Sequence, residues 1–182
     1  PPDSNVLILD VVAELKPTCT MGTAFEDYMA DNKIFNYLEG VAIPMTSVEN
    51  SVTAMRDLLT KYPDIDIVYT VNDNCAIGAA QAIEAAGRQD EGIIIWGYEG
   101  TPAALDAIKK GTIYGTSYSD PYNEGLVSVS MLLFCINTGI SANSLGGLNY
   151  TPVVELATVP VTIDNIDSVI KSTHWDLSTY GY

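Results

Sequence analysis

The side chains able to do chemistry in this sequence are mostly carboxylates: 23 Asp and Glu stand against 8 Lys and Arg and a single histidine, His174. The three cysteines, Cys19, Cys75 and Cys135, are odd in number, widely spaced and without a Cys-x-x-Cys pair. They offer no ligand pattern for zinc and read as small apolar residues in or near a core. A Ser-His-Asp triad would have to recruit His174 from the tail. Carboxylate pairs of the glycoside-cleaving kind are available by number, yet no acid sits in a segment whose surroundings would raise its pKa. No Gly-x-Gly-x-x-Gly follows a strand, and there is neither a Walker lysine nor a Gly-x-Ser-x-Gly elbow. Nothing here calls for a cofactor, a metal or an enzymatic reaction. The polar residues that stay of interest lie where apolar runs end: Asn72-Asp73-Asn74, and the stretch from Trp96 to Glu99. Asp73 stands where a helix N-cap would, and Glu99 where a solvated turn carboxylate would.

The elements that must position these groups alternate in type. Residues 5–10 are a continuous apolar run of strand length, the form of a strand buried on both faces. Met21, Ala24, Phe25, Tyr28 and Met29 then recur on one helical face. Residues 41–44 read as a second strand, and Val48, Val52, Met55, Leu58 and Leu59 mark a helix that stops before Tyr62-Pro63. A third strand over 65–70 leads into an alanine-rich helix over 75–86, ended by Gly87. A fourth strand over 92–96 precedes Thr101-Pro102, a threonine N-cap with proline at the first helical position. That helix closes at Lys109-Lys110-Gly111, where cations suit the negative end of the dipole. A fifth strand over 113–118 is followed by a helix from Pro121 to about Asn137 that is apolar nearly all round. A last strand spans 153–161. Short links between alternating strands and helices predict a three-layer, doubly wound α/β fold with a parallel sheet. Ligands in such sheets sit at the carboxyl ends of the strands.

Size and charge agree with one folded domain. With 182 residues, 47% of them hydrophobic and 17% charged, the chain has the apolar content for a real core, which an acidic disordered tail lacks. The net charge of −15 argues against a nucleic-acid partner, which needs clustered Lys and Arg to displace counterions. No apolar run approaches the length of a membrane span, and the chain opens at Pro1-Pro2-Asp3-Ser4 without a signal segment or a lipid-attachment cysteine.

From Tyr62 to Gly78 the sequence Tyr-Pro-Asp-Ile-Asp-Ile-Val-Tyr-Thr-Val-Asn-Asp-Asn-Cys-Ala-Ile-Gly resembles type I periplasmic binding proteins, and the similarity runs on through Ala79 to Gly87. It resumes at Gly97-Tyr98-Glu99-Gly100-Thr101-Pro102, at Ala107-Ile108-Lys109-Lys110-Gly111 and at Asp120-Pro121-Tyr122-Asn123-Glu124-Gly125. These motifs cover about residues 50–138 in order and are similar to the ribose- and galactose-binding branch. The resemblance implies one of two similar lobes that clamp a ligand between them. Residues 1–119 would be the carboxyl-terminal lobe, with the amino-terminal lobe absent before Pro1. Residues 120–150 would be a hinge crossing and a helix belonging to the other lobe, and 151–182 the returning strand and tail. The apolar helix after Pro121 would need that missing lobe, or a dimer mate, to cover it.

Carried over by position, the resemblance implies a ligand-binding set. Asp73 matches the family's aspartate after the strand, whose carboxylate accepts from two sugar hydroxyls; Asn72 adds an amide or merely forms the turn. Met21 falls where an arginine is common, Thr53 where an asparagine is common, and Ser119 where the hinge glutamine is common. Each is poorer in hydrogen bonds than the residue it replaces, so a less polar, larger or differently oriented ligand fits better than a pentose or hexose held in the usual way. Glu99 is either a second acidic contact or, more in keeping with its turn, a solvated carboxylate. The implied function is an extracytoplasmic solute receptor, in the periplasm or lipid-anchored outside a Gram-positive membrane. It would bind a sugar-like molecule and feed a membrane ABC permease. The alternative is the ligand-sensing domain of a LacI-type transcriptional regulator, which shares the fold.

Overall fold

The computed structural model describes residues 3–12, 21–32, 35–141, 156–174 and 178. Among the described residues, six strands and six helices alternate: β1 (Asn5–Asp10), α1 (Met21–Asn32), β2 (Asn36–Ala42), α2 (Val48–Lys61), β3 (Ile67–Thr70), α3 (Asp73–Ala85), β4 (Ile94–Glu99), α4 (Pro102–Lys109), β5 (Gly115–Tyr118), α5 (Pro121–Thr138), β6 (Val159–Thr162) and α6 (Ile166–Ser172). The strands form one sheet in the order β2-β1-β3-β4-β5-β6, and β1 through β5 pair in parallel. By contact, the chain divides into two compact units: Pro1–Tyr118 with Pro160–Tyr182, and Ser119–Val159.

In the first unit the strand alternation sorts apolar side chains to two faces. Leu7 and Leu9 of β1, Val68 of β3 and Ile95 of β4 join Met55, Leu58, Ala76, Ala79, Leu105 and Ile108 from α2, α3 and α4 in the main core. Val6 and Ile8 point the other way and meet Met29 of α1, with Phe25 and Tyr69 stacked at 4.4 Å between ring centroids. Helices therefore cover both faces, the three-layer arrangement expected. The alanine content of α3 has a physical use: a β-carbon at Gly78 would come within 2.5 Å of the Val48 carbonyl oxygen. Only a small-residue surface lets α3 lie so close to α2.

Caps set the helix starts. Ser47 accepts from Asn50 N–H at 3.2 Å, Asn72 from Cys75 N–H at 3.0 Å, and Thr101 from Ala104 N–H at 3.3 Å. The N-cap of α3 is thus Asn72, and Asp73 is its first helical residue. β2 lies earlier than the sequence pattern indicates, at Asn36–Ala42, because it is an edge strand with mostly exposed side chains and lacks a continuous apolar run. Residues 44–46 form a 3₁₀ turn instead. β4 extends beyond Trp96 to Glu99. The last strand lies at Val159–Thr162; residues 153–155 of the expected one are outside the described residues.

In the second unit, α5 is capped by Asp120, which accepts from Asn123 N–H at 3.2 Å, and closed by Gly139 in the left-handed region at φ 70°. None of its residues is buried; Leu126, Val129, Leu132, Leu133, Phe134 and Ile136 are all exposed. Among the described residues no helix is long and apolar enough to cross a membrane.

Candidate functional site

The loops at the carboxyl ends of β1, β2, β3 and β4 carry the polar groups. Residues 13–20 of the β1–α1 loop lie outside the described residues. β1 ends on Asp10, 3% exposed, whose Oδ1 accepts from Val11 N–H at 2.8 Å. A β-carbon at Gly22 would collide with its carboxylate, so the small residue in α1 makes the room this acid occupies. The β2–α2 turn places Met45 and Thr46 in the left-handed region, at φ 56° and 42°, and leaves Met45 90% exposed. Asn50 steadies that turn by donating to the Pro44 carbonyl at 2.7 Å.

The β3–α3 and β4–α4 turns are tied together from below. The Thr70 hydroxyl, fully buried, lies 2.9 Å from the carbonyls of both Asn72 and Trp96, where its single proton is shared between the two acceptors. Asp73 is fully buried as well. Its Oδ1 accepts from the Thr116 hydroxyl at 2.6 Å and its Oδ2 from Thr101 N–H at 2.6 Å. Burial pushes the Asp73 carboxyl above the usual range, and hydrogen bonds from Thr116, Thr101 and Gly100 offset part of that rise. Glu99 follows at φ 109°, a backbone region costly for a side chain with a β-carbon, and Gly100 at φ 75°. Glu99 is half-buried; burial raises its pKa, and the negative charge of Asp73 raises it further. Cys75, buried at the start of α3, has its thiol pushed up to about 11, chiefly by burial, with Glu99 and Asp10 adding to the effect.

The residues singled out from the sequence fall in different places. Asp73 reaches the strand ends, with both its oxygens engaged by protein donors and none of its surface exposed. Asn72 is half-buried in the same turn, and its Oδ1 caps α3. Thr53 lies on the exposed face of α2, with its hydroxyl donated to the Glu49 carbonyl at 3.1 Å. Met21 is half-buried and packs against the main core, leaving its apolar-stripe role as the one the structure supports. Ser119 falls in the second unit. Trp96 is half-buried, and its indole N–H donates to the Ser117 hydroxyl at 3.1 Å.

Sequence reasoning missed the left-handed turn at Met45-Thr46 and underweighted Glu99. Glu99 followed by Gly100 carried a signal, since glycine there marks a backbone turn; Met45 carried none. Among the described residues no group of His, Cys, Asp and Glu could hold a metal ion. The constellation is suited to hydrogen-bonding a polar solute over half-buried strand ends, with an adaptable thioether at the rim. Elsewhere on the first unit a cavity of about 300 Å³, lined by Ala80, Glu84, Asp90, Lys110 and Thr112 among others, lies at the opposite end of the sheet, where strands begin.

Residues 5–138 match the family model described as a periplasmic binding protein domain. The ribose import binding protein of Salmonella typhimurium is 29% identical over 128 residues, covering 70% of this chain and 42% of that protein. The xylitol-binding protein of Mycolicibacterium smegmatis is 30% identical over 124 residues, covering 68% of this chain and 32% of that protein. A periplasmic solute binding protein of an ABC transporter from Actinobacillus succinogenes, solved with bound D-allose, superposes with a TM-score of 0.78 at 22% identity over 91% of this chain and 54% of that one. A solute binding protein from Bacillus halodurans, solved with myo-inositol, gives 0.75 at 23% over 92% and 54%. The chain thus spans less than half the length of these curated relatives and about half that of the solved structures.

Proposed function

The chain belongs to the periplasmic binding protein domain family, and on that premise we propose that it is part of a solute receptor that takes a sugar or polyol at the carboxyl ends of its strands. The observation that carries the reading is the pair of turns at Asn72 and Glu99, held side by side by Thr70 and Asp73. Asn72 supplies an amide and Glu99 a carboxylate, a donor and an acceptor on neighbouring turns. Neighbouring hydroxyls on a sugar ring or polyol match such a pair. Met45 contributes an apolar edge. Relatives named for ribose and xylitol support this ligand class.

The rest of the receptor reading follows from the same premise. A second lobe completes the clamp and covers the exposed apolar sides of α5. The loaded receptor delivers to a membrane ABC permease from an extracytoplasmic position, in the periplasm or anchored by lipid outside a Gram-positive membrane. The regulator alternative is disfavoured by the net charge of −15, which repels DNA. Thermal-shift screening of the complete natural protein against sugars, polyols and nucleosides tests the proposal. A rise in melting temperature with at least one sugar or polyol, abolished by Glu99→Gln, is expected. Stabilisation by nucleosides alone, or by nothing in the screen, would overturn it.

A further inference from the structure

We propose that Asp73 is the positioning residue of this face: its buried carboxylate holds the Glu99–Thr101 turn in the left-handed backbone that presents Glu99 at the strand ends. The consequence for ligand rests on the reading of Glu99 just given; the geometry does not. Asp73 contributes no surface of its own, and the Thr116, Thr101 and Gly100 groups that hydrogen-bond it are neutral donors. A buried carboxylate without a cation is costly, so a merely space-filling residue here would serve the core better. What the charge secures is specific. The Thr101 N–H belongs to a helix N-cap and has no partner within α4, and Asp73 Oδ2 takes it at 2.6 Å. That bond anchors the residue immediately after two consecutive left-handed positions, Glu99 at φ 109° and Gly100 at φ 75°. Strained backbone of this kind persists only when its surroundings over-determine it. The second oxygen, bonded to Thr116 of β5, prevents the carboxylate from swinging away, and Gly97 leaves it room: a β-carbon at Gly97 would collide with Oδ1. Three separate elements thus converge on one side chain whose only outward effect is on the turn that carries Glu99.

Residue-resolved hydrogen exchange on the 182-residue chain tests the positioning role without any ligand. In Asp73→Ala the Thr101 amide should exchange about tenfold faster or more, the loss expected for a hydrogen bond to a charged acceptor, while amides of β1 and β3 keep their protection. Asp73→Asn, whose amide oxygen can still accept from Thr101 and whose NH₂ can turn to the Thr116 oxygen, should restore Thr101 to within about threefold of the parent. Should Asp73→Ala fail to fold, Asp73→Ser, too short to reach Thr101, takes its place. An unchanged Thr101 rate, a uniform acceleration across the sheet, or no rescue by asparagine would overturn the proposal. In the complete protein, D-allose is the probe for the functional consequence. Asp73→Ala and Glu99→Gln should each weaken its binding, and the double variant should be no weaker than the worse single one, the signature of acting through the same group. Additive losses would contradict action through Glu99. Absence of D-allose binding by the parent protein would count against the ligand reading alone and leave the exchange result to decide the positioning role.

Discussion

Replacing Gly97 by alanine puts a methyl group where Asp73 keeps its carboxylate. The new β-carbon would collide with Asp73 Oδ1 and stand 3.3 Å from Thr116 Oγ1 and 3.4 Å from Ala76 Cβ, so there is no empty side to move into. The carboxylate can retreat only by giving up the 2.6 Å bond from Thr116 or the 2.6 Å bond from Thr101. Losing one bond to a buried charge costs about 1.5–3 kcal/mol, and forcing a methyl into packed surroundings about 1–3 kcal/mol more. Against this, alanine in a strand interior recovers about 0.5–1 kcal/mol relative to glycine. The net expectation is a destabilisation of about 2–4 kcal/mol in urea unfolding with an unchanged m-value. In an Asp73→Ala background the same methyl enters vacated space, so the two substitutions should be non-additive by about 2 kcal/mol. A Gly97→Ala variant within about 0.5 kcal/mol of the parent, or strict additivity of the pair, would refute the packing on which the account of this turn depends.

Gly100→Ala should destabilise by about 2–4 kcal/mol, because φ is 75° and the β-carbon would come within 2.6 Å of Tyr118 Cδ2 and 2.9 Å of its Cα; denaturant titration measures it, and a neutral result would contradict the left-handed turn. Cys75, buried and with its thiol pushed up to about 11, should resist iodoacetamide in the folded chain near neutral pH and react once the chain is unfolded. Mass mapping that finds Cys75 labelled at the rate of a free thiol would exclude this environment. Asp73 and Glu99 both have folded pKa values raised above their ordinary ones. Each therefore contributes stability that is complete below the unfolded carboxylate pKa and is lost as pH rises through the raised folded value. Their contribution to the melting temperature should accordingly grow as pH falls from neutrality toward the ordinary carboxylate range. Glu39 and Asp167, held low by Lys61 and Lys109, act oppositely: their contribution is present above the unfolded pKa and lost on further acidification. Removing Asp73 by Asp73→Asn should flatten the rise between neutrality and mild acid, and an unaltered pH profile would count against a raised Asp73 pKa.

Much of the fold was legible because the central strands are buried on both faces and announce themselves as apolar runs, as in Asn5–Asp10. Thr101-Pro102 fixed the start of α4 through cap chemistry that needs no tertiary context. β2 was misplaced because an exposed edge strand has no apolar run to reveal it; its exposed residues include Asn36, Tyr37 and Gly40. The candidate site was legible in location and not in its division of labour. A pattern aligns Asn72 and Asp73 side by side, but a helix start rotates them apart: Asn72 caps α3 while Asp73 turns inward to Thr116. Nothing in the local sequence reveals that a threonine 43 positions further on will claim that carboxylate. Met45 had no signal at all, since its left-handed backbone comes from the geometry of the Pro44–Thr46 turn.

The most direct measurement of the central claim is calorimetric titration of the complete natural protein with D-ribose, D-allose, xylitol and myo-inositol, repeated on Glu99→Gln. The account predicts saturable binding of at least one of these, weakened about tenfold or more in the variant, as befits the loss of a charge-assisted hydrogen bond. Binding that survives Glu99→Gln undiminished would contradict the assignment of the site, and no binding to any of the four would contradict the ligand class.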